Sequence, residues 1–393
     1  MLVEALQHPP AAVPTFAAVR PAEVMGFDSF VGNPRAVAII REMLRAERIP
    51  HALLFGGPEG VGKKTLAMMF AKALNCARLQ DDFCGMCAAC RRAEEMLETA
   101  QRDLKIRREI KDSARRTEDI VYFDLHVIEP LTRFILVEQI RQLRNVAYTR
   151  PFELSRRVFV IDQAQAVHWQ ATDLLLKLLE ECPETTVLIL VCPNRYELRP
   201  TLRSRCHLIQ FVPVDAQTIV RVLANDGRVP QAQQALVARL AAGSLARAKT
   251  LNLEAFQQRQ QSWLEFFSSL LEESPRSSRE PNWGLLFDST KALTEHRDEF
   301  QETLRIGYSL LSDLLQLLEG QPTSRVTNVD VVARLKNWAP KLQVRGIEAL
   351  KKGLDEAYRL YARNINLQLC LDALATELHS LLRPHQGRAT SAI

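Results

Sequence analysis

The densest chemistry in this chain lies in Phe55–Ala67, FGGPEGVGKKTLA. Its spacing is that of a phosphate-binding loop, G-x-x-x-x-G-K-[ST], at every position but the last. Such a loop works because glycines let backbone N–H groups converge on phosphate oxygens at a helix N-terminus. Gly57, Gly60 and Gly62 supply that backbone, and Lys63 supplies the cation that reaches the β- and γ-phosphates. The hydroxyl that would hold Mg²⁺ is replaced by Lys64, and Thr65 stands one residue late. One step along a helix turns a side chain by about 100°. Thr65 is therefore expected to face away from the metal position, and Lys64 to put a second cation there. ATP binding without hydrolysis is left open by these residues.

Two further segments bear on hydrolysis. VFVIDQAQ ends an apolar run with Asp162, the residue type that holds magnesium, and then Gln163. A carboxylate in that second place would activate water, whereas an amide cannot accept the proton. After the apolar run TTVLILVCP comes Asn194, a candidate sensor of a γ-phosphate.

The second cluster is cysteine. Cys76, Cys84, Cys87 and Cys90 fall in the pattern C-x7-C-x2-C-x2-C, with Gly85 allowing a tight turn. Zn²⁺ takes four thiolates in a tetrahedron at about 2.3 Å, and C-x2-C turns put two sulfurs on one face. Four cysteines leave no open coordination position, so 76–90 is expected to be a structural zinc module rather than a catalytic centre or a nucleic-acid-binding finger. Cys182, Cys192, Cys206 and Cys370 are scattered. That distribution suits a reducing compartment better than a disulfide framework.

The elements that would position these groups alternate. HALLFGG reads as a buried strand and KKTLAMMFAKALNC as an amphipathic helix, the context a phosphate loop needs. PRAVAIIREMLRAER (34–48) precedes them at helical spacing. VYFDLHVIEP, RRVFVIDQAQ and TTVLILVCP read as further strands, with VEQIRQLRNVAYTR and QATDLLLKLLEECP as helices between them and HLIQF as a short fifth strand. Fully apolar strands alternating with helices predict a parallel sheet between helical layers. The stretch 94–119 is dense in charges of both signs and is expected to be an exposed helix or helical hairpin laced with i,i+4 pairs. After Pro213 the periodicity is helical throughout. Short helices are expected over 214–255, with a break at Gly243-Ser244. Longer ones are expected over 256–385, such as EALKKGLDEAYRLYARNINLQLCLDALATELHSLL. Residues 1–25 read as a flexible arm, 273–282 as a polar loop and 386–393 as a tail.

Composition sets the outer bounds. The 393 residues suggest two or three domains, and 47% hydrophobic with 25% charged residues is ordinary for a globular core. A net charge of +5 neither demands nor excludes nucleic acid, and no long basic stripe is present. No apolar run approaches the length of a membrane span. MLVEALQHPPAAVPTF lacks a basic n-region and is broken by prolines, so a signal peptide is not expected and a cytoplasmic location is.

HALLFGGPEGVGKKTLA, the cysteine block, DLHVIEP, VFVIDQAQAVHWQATDLLLKLLEECPETTVLIL and RPTLRSRC together resemble the AAA+ clamp-loader ATPases of bacterial DNA polymerase III, most closely the delta-prime group of subunits. The resemblance covers about 26–250. It implies an α/β P-loop (AAA+) domain with a parallel sheet over 26–213, a small helical lid over 214–255 and an all-α collar over 256–385. It also implies a division of labour in a pentameric ring with gamma/tau-like ATPase and delta-like subunits, acting on a sliding clamp and primed DNA. This member would hydrolyse nothing itself. Arg205, in Ser204-Arg205-Cys206, would be the arginine finger offered in trans to a neighbour's nucleotide. Arg247, in AAGSLARAKT, falls at the lid arginine that touches nucleotide in the family. Two other readings stand beside this one: an active AAA+ ATPase that uses Thr65, and a zinc-dependent DNA-binding protein.

Overall fold

The computed structural model describes residues 26–112, 115–272, 283–295, 297–363 and 365–382. The expected arm, polar loop and tail lie outside the described residues. The chain divides into two compact units between Pro213 and Val214.

The first unit runs α1 (Pro34–Arg45), β1 (Ala52–Gly56), α2 (Lys63–Ala73), α3 (Ala88–Glu109), β2 (Leu125–Ile128), α4 (Val137–Ala147), β3 (Arg157–Ile161), α5 (Thr172–Glu180), β4 (Thr186–Cys192), α6 (Pro200–Arg203) and β5 (His207–Gln210). The strands form one sheet in the order β2-β3-β4-β1-β5, and every pairing is parallel. Strands β1 to β4 are buried at every residue. Helices cover both faces, so these strands read as unbroken apolar runs rather than alternations. Successive residues serve opposite sides. Leu53, Phe55, Val158 and Val160 pack with Ile40 and Phe70, while Leu54, Phe159, Ile161 and Leu188 pack with Leu143 and Leu175. This is the expected α/β P-loop architecture, with an all-helical region after it.

One expectation is met in one of its two forms, and another needs correction. Of the charged stretch 94–119, the part up to Glu109 lies in the single helix α3 rather than in a hairpin, and α3 starts inside the cysteine block, with Cys87 as its N-cap. Charge hid the packing stripe: Ala93, Met96, Leu97 and Ala100 are buried. Beyond the helix, Arg107 donates to the carbonyls of Arg116, Glu118 and Asp119 at 3.1, 2.6 and 3.0 Å, which ties the following loop down. The long C-terminal helix is also two helices, α13 and α14, as given below.

The second unit is helical: α7 (Ala216–Asp226), α8 (Gln231–Leu240), α9 (Leu245–Thr250), α10 (Leu253–Leu271), α11 (Trp283–Thr294), α12 (Phe300–Leu318), α13 (Val332–Ala362) and α14 (Leu367–Leu382). The Gly243-Ser244 break is local chemistry. Gly243 has φ +83°, and the Ser244 hydroxyl accepts the Arg247 N–H at 3.2 Å to cap α9. Val214, Ile219, Leu223, Val237 and Ala248 make a small core of their own. A larger one gathers Trp263, Phe267, Leu310, Trp338 and Leu350. Helix α13 contains Pro340 and is interrupted at Gln343. The next interruption falls before Asn366, whose side chain accepts the Leu369 N–H at 3.4 Å in the first turn of α14.

Candidate functional site

The loop between β1 and α2 has the backbone that its glycines suggest. Gly57, Gly60 and Gly62 adopt φ of +152°, +72° and +94°. A Cβ on Gly57 would lie 2.4 Å from the Phe211 carbonyl oxygen, and one on Gly62 would lie 2.8 Å from the Phe30 ring. Both positions exclude a side chain on conformation and space together. Helix α2 begins at Lys63, directly after the left-handed Gly62. Lys63 is buried, and its Nζ donates to the Gly57 and Pro58 carbonyls, each at 2.5 Å. Burial lowers its pKa below the ordinary lysine value.

Lys64 answers the question its position raises. Its Nζ donates to Glu129 Oε1 and lies 3.8 Å from Asp162 Oδ2. The sheet explains the meeting. Ile128 and Ile161 are register partners on β2 and β3, so the next residues on each strand, Glu129 and Asp162, leave the sheet together. The second Glu129 oxygen accepts Arg108 Nη2 at 2.8 Å, from the last turn of α3, and the same guanidinium holds the Pro130 carbonyl at 3.1 Å. Asp162 accepts the Gln163 N–H at 2.9 Å. Burial pushes its pKa up, and the Lys64 charge pulls it partly back. The ammonium thus pairs with Glu129 and stands near Asp162, the carboxylate expected to hold magnesium. Thr65 is exposed. Gln163 is exposed at φ +53°, and Asn194 turns its carboxamide oxygen to the Tyr196 N–H at 3.0 Å.

Sequence reading missed Glu129 and Arg108. Glu129 carried a signal: it follows an apolar strand directly, as Asp162 does, and strands of a parallel sheet end on a common edge.

Arg205 follows α6. Its side chain is 39% exposed and pairs with Glu180 at the end of α5, and its Nη1 donates to the Thr201 carbonyl at 3.0 Å. Arg247 lies in the second unit, on α9, where its Nη2 is 3.5 Å from Glu302 Oε2 and burial lowers its pKa.

The cysteine block closes on itself. The sulfurs of Cys76, Cys84, Cys87 and Cys90 all lie within 4.8 Å of one another. Cys76, Cys84 and Cys87 each accept a backbone N–H three residues on, from Leu79, Cys87 and Cys90, at 3.4, 3.3 and 3.4 Å. Such N–H···S contacts favour thiolate, the form that binds metal. At Cys87, burial pushes the thiol up, but the N–H groups of Ala77 and Cys90, together with the neighbouring Cys90 and Cys84 thiols, outweigh it and bring the pKa to about 6. Four soft donors this close can hold one metal ion and fit zinc. The module also anchors the start of the unit. The Asp82 carboxylate, between Cys76 and Cys84, accepts the Phe27 N–H at 2.9 Å and Arg41 Nη2 at 2.8 Å.

Among the described residues no helix is long and apolar enough to cross a membrane.

Residues 32–215 match the family model described as "DNA polymerase III, delta subunit". The chain is 31% identical over 200 residues to DNA polymerase III subunit gamma/tau of Mycobacterium tuberculosis, which covers 51% of this chain and 31% of that protein. It is 27% identical over 231 residues to DNA polymerase III subunit tau of Bacillus subtilis, covering 57% of this chain and 37% of that one. The matched region thus spans about a third of the length of these relatives. Among solved structures, a DNA polymerase III gamma subunit-related protein from Thermotoga maritima aligns over 88% of this chain and 100% of its own at 14% identity, with a TM-score of 0.40. Over 32–215 the chain is thus similar to the DNA polymerase III delta-type family, and its sequence relatives are named gamma/tau or tau subunits.

Proposed function

We propose that this chain is a clamp-loader subunit of the delta-prime kind: a hydrolysis-deficient member of a pentameric ring that offers Arg205 to a neighbouring subunit's nucleotide, so that a sliding clamp is loaded on primed DNA. The observation that carries the reading is Lys64 lodged between Glu129 and Asp162. A loop that keeps its three positive-φ glycines while filling its metal position with a side-chain cation retains a shape and gives up a reaction. Gln163 in place of a carboxylate argues the same way. Arg205 supports the other half. It is solvent-accessible, held by one exposed carboxylate and the Thr201 carbonyl, and set in the turn after the short helix α6. A guanidinium delivered to a γ-phosphate stabilises the charge that develops in phosphoryl transfer, by about 10³–10⁵ in rate in the GTPase examples.

In this reading the short helices over 214–255 serve as the lid and the larger helical core as the collar that joins subunits. Zinc in the cysteine block is structural, ties Asp82 to Phe27 and α1, and takes no part in transfer.

The test is reconstitution with gamma/tau-like and delta-like partners. Arg205→Ala is expected to leave the assembly intact by size and to cut ATP turnover at the site it borders by about 10³-fold or more. Full-rate turnover by the assembled variant overturns the trans-finger assignment. Turnover by the isolated chain that Lys63→Ala abolishes would instead establish the active-ATPase reading.

A further inference from the structure

The segments that follow β2, β3 and β4 enclose a groove of about 460 Å³. Its walls include Phe134 after β2, Val167, His168 and Trp169 after β3, and Leu198 and Arg199 after β4. The rings are not buried for packing: Trp169 is 63% exposed and Phe134 41%. They are organised all the same. Phe134 meets His168 edge-on at 5.6 Å between ring centroids, and His168 meets Trp169 at 5.8 Å. In the chain segment that carries Leu198 and Arg199, Tyr196 is 67% exposed, with the guanidinium carbons of Arg195 and Arg203 at 4.8 and 5.1 Å from its ring centroid. Among the described residues, Arg195, Arg199 and Arg203 are in no ion pair, and the acid in the lining is Glu197.

We infer that this groove binds single-stranded nucleic acid, its exposed rings taking unstacked bases and Arg195, Arg199 and Arg203 taking the phosphates. Base–aromatic stacking tolerates any sequence because every base has a π-face, and arginines beside the rings supply both charge and a second planar surface. A duplex keeps its bases stacked on one another and cannot offer them to Trp169. An acidic peptide would satisfy the arginines but has no need of three accessible ring planes. The arginines and Tyr196 come from one loop and the helix after it, while Phe134, His168 and Trp169 come from two other loops, so the grouping is not legible as a stripe in the sequence. The inference does not depend on clamp-loader membership.

The experiment uses the full chain and a fluorescent 15-mer of deoxythymidine, read by anisotropy at low and at physiological salt. Trp169→Ala is expected to weaken binding on the order of tenfold or more, the range for loss of one stacking platform. Arg199→Ala/Arg203→Ala is expected to weaken it at low salt and flatten its salt dependence, while Trp169→Ala leaves the salt slope as it was. Exposed Arg359→Ala in the second unit serves as the control. Wild-type affinity in Trp169→Ala overturns the inference. So does absence of binding at low salt, a preference for duplex of the same length, or equal displacement of the oligonucleotide by a poly-glutamate peptide. None of these outcomes touches copurification with partner subunits, which tests the clamp-loader reading separately.

Discussion

Replacing Lys64 with threonine restores the residue type a phosphate loop ordinarily carries at this position, and the structure says what it costs. The change removes the ammonium paired with Glu129 and 3.8 Å from Asp162. At an effective dielectric of about 20, unit charges at that separation interact by about 4 kcal/mol. Partial exposure of the Lys64 side chain, 30%, screens part of this, so a net destabilisation of about 1–3 kcal/mol is expected near neutral pH. The sign with pH follows from Asp162. Burial already raises its folded pKa above the unfolded value with Lys64 present, and removing the cation raises it further. A carboxylate with a raised folded pKa favours folding below that pKa and loses the benefit as pH rises through it. The deficit of Lys64→Thr should therefore be larger at pH 8 than at pH 5. Magnesium provides the second arm. Asp162 freed of its cation and Glu129 left to Arg108 alone, beside a new hydroxyl, should bind Mg²⁺ and recover stability with the logarithm of ligand concentration, whereas the wild-type melting temperature should be indifferent to it. Thermal unfolding at two pH values, with and without millimolar Mg²⁺, reads both arms. A Lys64→Thr variant as stable as wild type at pH 8 and blind to magnesium would refute the view that Lys64 fills a metal position.

Two further outcomes are expected. Burial holds the His126 pKa down to about 4, against an ordinary value of 6.5. The unfolded chain therefore takes up the proton first as pH falls, and the wild type should lose about 3 kcal/mol between pH 6.5 and 4; denaturant titrations of His126→Leu across that range should lack this component. Metal analysis should find about one zinc per chain, and Cys87→Ser should lose it. That loss should also raise hydrogen exchange at the Phe27 amide, because Asp82 then has no closed loop to hold it in place.

The parts of the site visible in sequence were those that depend on local backbone. Three glycines at fixed spacing need no partner to reveal a phosphate-binding turn, and four cysteines in C-x2-C turns carry their own geometry. What stayed hidden joins distant positions. Glu129 lies 65 residues from Lys64 and 21 from Arg108, and only the register of β2 against β3 makes them neighbours. Composition misled at α3, where a run of charges drew attention from the apolar stripe that packs the helix down. Periodicity misled at the C-terminus: the apolar pattern continues past Ala362 although the backbone does not, since Asn366 caps a new helix. The aromatic groove was invisible because its residues are individually ordinary.

Two ion pairs in the first unit invite opposite conclusions, and burial decides between them. Glu129 keeps 11% of its side chain exposed beneath Lys64, and a second cation, Arg108, completes its hydrogen bonding. Removing one partner there strands a desolvated charge, so the contact belongs to the architecture. Arg205 and Glu180 are 39% and 44% exposed. A pair so open to water contributes about 0–1 kcal/mol, and breaking it leaves both groups solvated. The Glu180 contact is thus no argument against Arg205 reaching elsewhere. It costs little to leave, as the proposed role of Arg205 at another subunit's nucleotide requires.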